Sequence, residues 1–411
     1  MNPVHAALAY FVWFLSTYYL LFFILTLFAN ESRLFERRRL GAQRPLVTIL
    51  VPAYNEQGKI AQTIASLKRI TYERVEVIVI NDGSKDRTSD ETRAAIKGDG
   101  RFRLIDRREN RGKGASLNDG IAAARGEYIV TIDADTVVEP NILQKVLPYF
   151  DDEKVGAVTV SVLVKRPQRF LHRVLELEYI IGLSLFLRLL SFMGIVFVTP
   201  GPFSIYRASM LRKIQGFDAS NITEDLEIAY RIRFAGYRIV NCMDAKVYTI
   251  LPPTFKGLYR QRRRWYTGAI QTMYQHRKQI FTTRQGLFSA FIVFNYSLIF
   301  VGIILFLSSM YLAASHLTQQ LWEYQYTGWN FLENLKEYRF DILRFSGIEI
   351  IGLMGLLSTF VLLGLGLYYT RTNVRHKKAA IAGYPVLFFL YQLWWIAAII
   401  SAVRGKRVKW K

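Results

Sequence analysis

The sequence predicts an α/β domain, a mostly parallel sheet with helices on both faces, joined to an α-helical transmembrane region. Three observations lead there. Between about Leu46 and Val247, short β-branched runs alternate with stretches of helical spacing, the pattern of strand–helix–strand units. Outside that region the chain carries long uncharged apolar runs. Within it, polar and acidic residues recur where apolar strands stop: Asn55 and Glu56, Asn81 and Asp82, Asp133 and Asp135. Such sheets bind ligands at the carboxyl ends of their strands.

The first apolar run, Ala6 to Ala29, is long enough to cross a hydrocarbon core of ~30 Å at ~1.5 Å per residue. A cleaved signal peptide would want a basic start and a shorter apolar core. No Lys or Arg precedes this run, and ESRLFERRR follows it. Residues 1–30 are therefore expected to be an uncleaved anchor. The basic flank after it (Arg33, Arg37, Arg38, Arg39, Arg44) places residues 31–285 on the cytoplasmic side of a cell membrane.

Residues 286–411 hold about three further spans, in Leu287–Ser315, Ile348–Tyr369 and Ala380–Val403. The segment Thr318–Phe345 is mildly acidic, which suits the outside, and RTNVRHKK (371–378) suits the inside. A fourth crossing, four being the expected multi-pass count, would put the basic tail RGKRVKWK outside, against the charge rule. The alternative is a re-entrant last segment, with Gly383 and Pro385 near its start; both readings stay open here.

Lys and Arg outnumber Asp and Glu by 54 to 32, a net charge of +22. Much of that charge flanks apolar spans, where membrane lipids with anionic headgroups attract it. No nucleic-acid motif accompanies it, so no nucleic-acid partner is expected. The single cysteine, Cys242, excludes an internal disulfide and a cysteine-cluster metal site.

Taken in order, LVTILVPAYNE, VEVIVINDGS, FRLIDRREN and EYIVTIDADT read as strands. GKIAQTIASLKRI, TSDETRAAIKG and GASLNDGIAAARG read as the helices between them. Asp133 and Asp135, one residue apart after YIVTI, suit a hard divalent cation, Mg2+ or Mn2+, completed by substrate phosphates and water. The plain alternative is a turn in which both carboxylates bond only backbone amides. For Asp82 two readings stand: an NDGS turn residue, or an acceptor for a nucleotide base. In RGKG, Arg111 to Gly114, glycines before a helix would let amides approach an anion, with Lys113 reaching a phosphate or a base.

NITEDLEIAYRIRF reads as a helix whose first turn holds Thr223, Glu224 and Asp225. Acids there stabilise the helix dipole, the reading that the sequence alone favours; as a general base Asp225 would need a suited pKa and reach to a hydroxyl. In YRQRRRWYTG, Gln261, Arg264 and Trp265 share a face at i, i+3 and i+4. Arg264 could pair with a pyrophosphate and Trp265 stack on a sugar ring. The stretch also reads as a basic interfacial helix with Trp265 at headgroup level.

In this order, PAYNE, NDGS, the DAD within VTIDADT, TED and QRRRW resemble the motif set of membrane-embedded, inverting family 2 glycosyltransferases, the group of cellulose, hyaluronan, chitin and poly-N-acetylglucosamine synthases. The resemblance runs over about residues 46–270, together with the anchor before and the spans after. It implies a GT-A fold, a Rossmann-like α/β architecture. It implies that Ala53, Tyr54, Glu56, Asp82 and Lys113 line the site of a UDP-sugar donor, and that Asp133 and Asp135 hold Mg2+ or Mn2+ on its diphosphate. Asp225 would be the catalytic base and Glu224 would lie on the acceptor side. Gln261, Arg264 and Trp265 would meet the diphosphate and the acceptor sugar.

VTPGPFSIYR and the QRRRW form resemble chitin and poly-N-acetylglucosamine synthases, which implies UDP-N-acetylglucosamine as donor and a growing glycan as acceptor. About three C-terminal spans and no extended gating loop depart from the cellulose synthases, leaving room for an accessory export subunit. Two alternatives stand beside this reading: transfer of one sugar to a lipid acceptor, and a non-catalytic membrane scaffold or synthase subunit.

Overall fold

Every residue of β1 (Val47–Ala53) and β2 (Val75–Asp82) is buried, so both faces of these strands are covered, as in a parallel sheet flanked by helices. The computed structural model describes residues 3–36, 38–167, 169–282, 286–327, 347–373 and 377–404. In it, α1 (Pro3–Ala29) leads into the sheet domain, where α2 (Ile60–Lys68), α3 (Thr88–Ile96) and α4 (Lys113–Ala123) alternate with β1, β2, β3 (Phe102–Arg107) and β4 (Tyr128–Thr131).

Alternation along the strands sends successive side chains to opposite faces. Ile49 and Val51 pack with Ile60, Ile64 and Leu67 of α2. Leu50, Ile78 and Ile80 pack on the other face with Leu117 and Ile121 of α4. Each such aliphatic side chain contributes roughly 1.5–3 kcal/mol on burial. The polar intruder Glu76 in β2 is matched: it accepts from Thr48 Oγ1 at 2.6 Å and from the Arg125 amide at 2.8 Å.

The chain continues through β5 (Val137–Val138), α5 (Ile142–Val146), β6 (Val155–Val164) and α6 (Phe170–Ile180), a π-helical stretch Ile181–Phe186, and α7 (Leu187–Phe192). β7 (Ser204–Arg207), α8 (Ala208–Lys213), α9 (Glu224–Phe234) and β8 (Arg238–Thr249) complete one eight-stranded sheet in the order β3-β2-β1-β4-β7-β6-β8-β5. The pairs among β1 to β4 are parallel, as is β6 with β8, whereas β7 runs antiparallel to both β4 and β6, and β5 antiparallel to β8. The sheet is therefore mixed, with its parallel character concentrated where the sequence alternates most regularly.

After α10 (Phe255–Gln275) and α11 (Arg277–Phe281) come α12 (Gly286–Thr327), α13 (Gly347–Tyr369), α14 (Lys378–Gly383) and α15 (Val386–Val403). Among the described residues three helices are long and apolar enough to cross a membrane: His5–Ala29, Gly286–Tyr326 and Glu349–Tyr369. α1 packs on α12 and α13. The last apolar run is not continuous: it breaks between α14 and α15 at Pro385, whose missing amide hydrogen suits a helix start and not its interior. α15 lies along α10, with Tyr266 stacked on Trp395 at 4.5 Å between ring centroids. Most of the expected outside segment, residues 328–346, lies outside the described residues, as do 374–376 of RTNVRHKK and the tail from 405 onward.

Candidate active site

From β1 the chain moves outward to β2 and β3, then returns to the other flank of β1 as β4. The carboxyl ends of β1 and β4 thus border a topological switch point, where open α/β sheets form their crevice. Pro52 and Glu56 from the β1 end, and Asp133 and Asp135 from the β4 end, line a cavity of about 180 Å³ there.

The PAYNE and NDGS loops are stitched together. Asn55, at φ 53°, donates its amide to Ser84 Oγ and accepts from the Lys85 amide at 2.8 Å; asparagine tolerates that left-handed backbone better than most residues. The Glu56 amide donates to Thr88 Oγ1 at 2.8 Å, and its carboxylate accepts from Lys59 at 2.8 Å. Ser84 of the NDGS turn and Thr88 at the start of α3 thereby fix where Asn55 and Glu56 stand.

Lys113 begins α4 and is buried. Its Nζ lies 2.6 Å from Asp133 Oδ1 and 2.7 Å from Glu224 Oε1. Burial opposes its charge, yet the carboxylates of Asp133, Glu224 and Asp225 outweigh that and hold the ammonium well above the usual lysine range. A buried cation needs such partners. Lys113, expected to reach a phosphate or a base, is here the central cation of the acidic cluster and lines the cavity. Gly201, in VTPG, borders this pair so closely that a Cβ there would lie 2.8 Å from Lys113 Nζ and 2.9 Å from Asp133 Oδ2.

Asp225 sits in the first turn of α9, half-buried. Its carbonyl accepts from the Thr199 amide at 3.1 Å and from Thr199 Oγ1 at 2.8 Å, which ties VTPG to TED. Burial, followed by the adjacent Glu224 charge, pushes its carboxyl up to about 6, against the pull of Lys113 and Arg264. The first-turn acids therefore do more than face a helix dipole.

Thr254 caps the start of α10, its Oγ1 accepting from the Gly257 amide. Gln261, Arg264 and Trp265 all line the cavity, so the face expected from helical spacing is turned toward it. Arg264 donates to the Ile222 carbonyl at 3.3 Å, just ahead of TED. At Gly268 any Cβ would collide with Thr223 Oγ1, so a glycine is what lets α10 approach α9.

Nine of the residues singled out from sequence converge on this cavity: Glu56, Lys113, Asp133, Asp135, Glu224, Asp225, Gln261, Arg264 and Trp265. Ala53, Tyr54 and Asp82 are not part of its lining. Ala53 ends β1 in register with Asn81, beside Asp82. The Asp82 carboxylate accepts from Arg107 at 2.9 Å and from the amides of Arg111 and Gly112 at 3.0 and 2.8 Å. Those amides, expected to face an anionic ligand, thus bind a carboxylate of the protein itself.

Sequence reasoning missed Tyr179, Gly201 and Thr199, and two buried ion pairs. Glu227 is fully buried; burial alone would raise its carboxyl, but bonds from His276 and Arg231 hold it below its ordinary value. Arg262 makes a two-pronged pair with Glu178 at 2.9 and 2.8 Å, and its guanidinium lies 4.2 Å from the Trp265 ring centroid. The four-residue arginine pattern of YRQRRRW was visible, but nothing in α6 marked Glu178 as a partner. Glu178→Ala, which strands the Arg262 charge, is expected to cost about 3–5 kcal/mol, read as a fall in the unfolding midpoint of the purified protein.

Residues 48–215 match the family model described as glycosyl transferase family 2. A Staphylococcus aureus poly-beta-1,6-N-acetyl-D-glucosamine synthase is 32% identical over 228 residues, 55% of each chain; the match thus spans about half the length of that relative. The Staphylococcus epidermidis protein of the same name is 27% identical over 97% of this chain and 93% of its own. A mannosyltransferase from Pyrobaculum calidifontis, solved in complex with GDP-Man and Mn2+, shares the fold at TM-score 0.64 and 19% identity, over 98% of this chain and all of that one. Over residues 48–215 the chain is similar to the family 2 glycosyltransferases, and it resembles the poly-beta-1,6-N-acetyl-D-glucosamine synthases.

Proposed function

We propose that the chain transfers N-acetylglucosamine from its UDP-sugar to a growing β-linked glycan, with inversion, and that it stays on the strand for successive additions. The observation that carries this reading is the convergence of Asp133, Asp135, Asp225 and Arg264 on one cavity at the switch point. The synthase names of the relatives supply the sugar and the polymer.

In this reading Asp225 accepts the proton of the acceptor hydroxyl as its oxygen bonds to the anomeric carbon and the bond to the diphosphate breaks. Arg264 faces the charge that develops on the departing diphosphate, and Trp265 offers its ring to the acceptor sugar beside Gln261. Lys113 fixes Asp133 and Glu224 so that neither swings into the sugar's space. Ala53, Tyr54 and Asp82, on the adjoining strand ends, lie toward the nucleoside.

The donor set fits a divalent cation. Asp133 and Asp135 offer hard carboxylate oxygens, as Mg2+ or Mn2+ prefers, and among the described residues no cluster of three His, Cys, Asp or Glu could hold a metal unaided. That is the arrangement for an ion whose remaining ligands come from a diphosphate and water. When bound, the cation supplies charge that offsets the diphosphate.

We place residues 31–285 in the cytoplasm, between an anchor in 1–30 and a membrane region in 286–411, with an accessory subunit assisting export. A panel of UDP-sugars with Mg2+ or Mn2+, followed by product sizing and linkage analysis, tests the reading. Long N-acetylglucosamine chains support it; a single-sugar lipid product contradicts the polymer, and no transfer with any donor contradicts the activity. Because the base works ionised and its carboxyl lies near 6, kcat/KM should be flat above that pH and fall roughly tenfold per unit below it. A pH–rate profile checks this.

A further inference from the structure

A second cavity, of about 510 Å³, shares no residue with the first. Its size is that of an ordinary ligand pocket, roughly 300–1,000 Å³. One wall is α6 and its π-helical continuation, through Arg173, Glu176, Ile180 and Ser184. Another is the β6–β8 pair. There the register jumps from Val160 opposite Cys242 to Ser161 opposite Lys246, and the Ser161 hydroxyl donates to the Met243 carbonyl at 2.9 Å. The bulge brings Lys246 and Tyr248 to the cavity, the kind of re-aiming bulges produce. The rim is Phe35, shortly after α1, and Thr370 to Asn373, directly after α13. Both segments leave helices apolar enough to span a membrane.

The lining is unbalanced in charge. Arg173, Lys246, Arg371 and Lys377 face one carboxylate, Glu176, which Lys377 already binds. Arg371 lies over the Phe35 ring at 4.9 Å, so its guanidinium is placed by an aromatic face. The Ser184 hydroxyl is 2% exposed and has no hydrogen-bond partner among the described residues, an arrangement that costs free energy unless a ligand supplies the partner. Leu163, Val164, Pro167 and Ile180 add an apolar side to the same space.

We propose that this cavity binds a phosphate group at the membrane surface, presented by the headgroup of an anionic phospholipid or by a soluble phosphate compound. Arginine forks and lysine ammoniums are the side chains that match phosphate oxygens, Ser184 adds a neutral donor, and basic pockets beside membrane spans hold such headgroups. The inference does not rest on the sugar-transfer reading, and its test does not use activity.

The test compares the full chain with two paired variants: Arg173→Gln with Lys246→Gln, and the charge-retaining Arg173→Lys with Lys246→Arg. Each is reconstituted in phosphatidylcholine nanodiscs with and without phosphatidylglycerol, and retained lipid is counted by native mass spectrometry. In a parallel arm, inorganic phosphate replaces chloride at constant ionic strength and the unfolding midpoint is read. The unaltered chain should retain phosphatidylglycerol at least roughly tenfold better than the charge-removed pair, and the charge-retaining pair should behave like the unaltered chain. A midpoint rise with inorganic phosphate that is lost in the charge-removed pair assigns the site to soluble phosphate compounds; retention of phosphatidylglycerol alone assigns it to lipid. Equal behaviour of the unaltered and charge-removed proteins toward both probes overturns the proposal, as does loss of binding in the charge-retaining pair.

Discussion

Asp225→Asn is expected to lower sugar transfer by roughly 10²–10⁴-fold while leaving UDP-sugar binding intact. The substitution keeps the shape of the side chain, and an amide oxygen can still accept from the Leu226 amide, which now meets Asp225 Oδ1 at 2.9 Å. The Thr199 bonds end on the backbone carbonyl of Asp225 and so are indifferent to the change. What disappears is the ability to take a proton. Binding measured by calorimetry and turnover measured with labelled donor separate the two effects, and near-normal turnover in this variant removes Asp225 from the mechanism.

Asp135→Ala is expected to cost at least ~100-fold in Mn2+-dependent UDP binding, since even the outer partners of metal ligands carry 10–100-fold effects. Asp133→Ala is the less clean change. It also takes from buried Lys113 a partner at 2.6 Å, so part of its effect is destabilisation through an underpaired cation. The pair therefore gives a contrast in readout: Asp135→Ala should lose the extra thermal stabilisation that UDP with Mn2+ confers, whereas Asp133→Ala should also unfold earlier without ligand, because Lys113 is then underpaired. Unchanged metal dependence in Asp135→Ala contradicts its assignment.

How much of this was legible depended on the range of the interaction involved. The strands VTILVPA and VEVIVIND could be read because burial on both faces demands nearly continuous apolar residues, and both are buried along their whole length. The grouping of Gln261, Arg264 and Trp265 followed from helical spacing, which is local. The acidic strand ends were legible because a switch-point crevice collects whatever follows β1 and β4.

What sequence could not supply was partner choice across long separations. Lys113 pairs with Asp133 and Glu224, and Arg262 with Glu178, because the fold buries them together. No spacing rule encodes those matches. Asp82 shows the same limit: a turn residue and a base acceptor look alike in NDGS, and its bonds to Arg107, Arg111 and Gly112 depend on β3 lying beside β2. Gly201 and Gly268 matter for atoms they lack, a role visible only once their neighbours are placed.

The most direct test of a single cation-bridged donor site is a cryo-electron microscopy structure of the full chain with UDP and Mn2+. The expected map has the metal between the Asp133 and Asp135 carboxylates and the diphosphate, with Arg264 on the phosphate side and Asp225 facing the open end of the cavity. Nucleotide density anywhere other than the crevice between the ends of β1 and β4, or metal bound without contact to either aspartate, would contradict it.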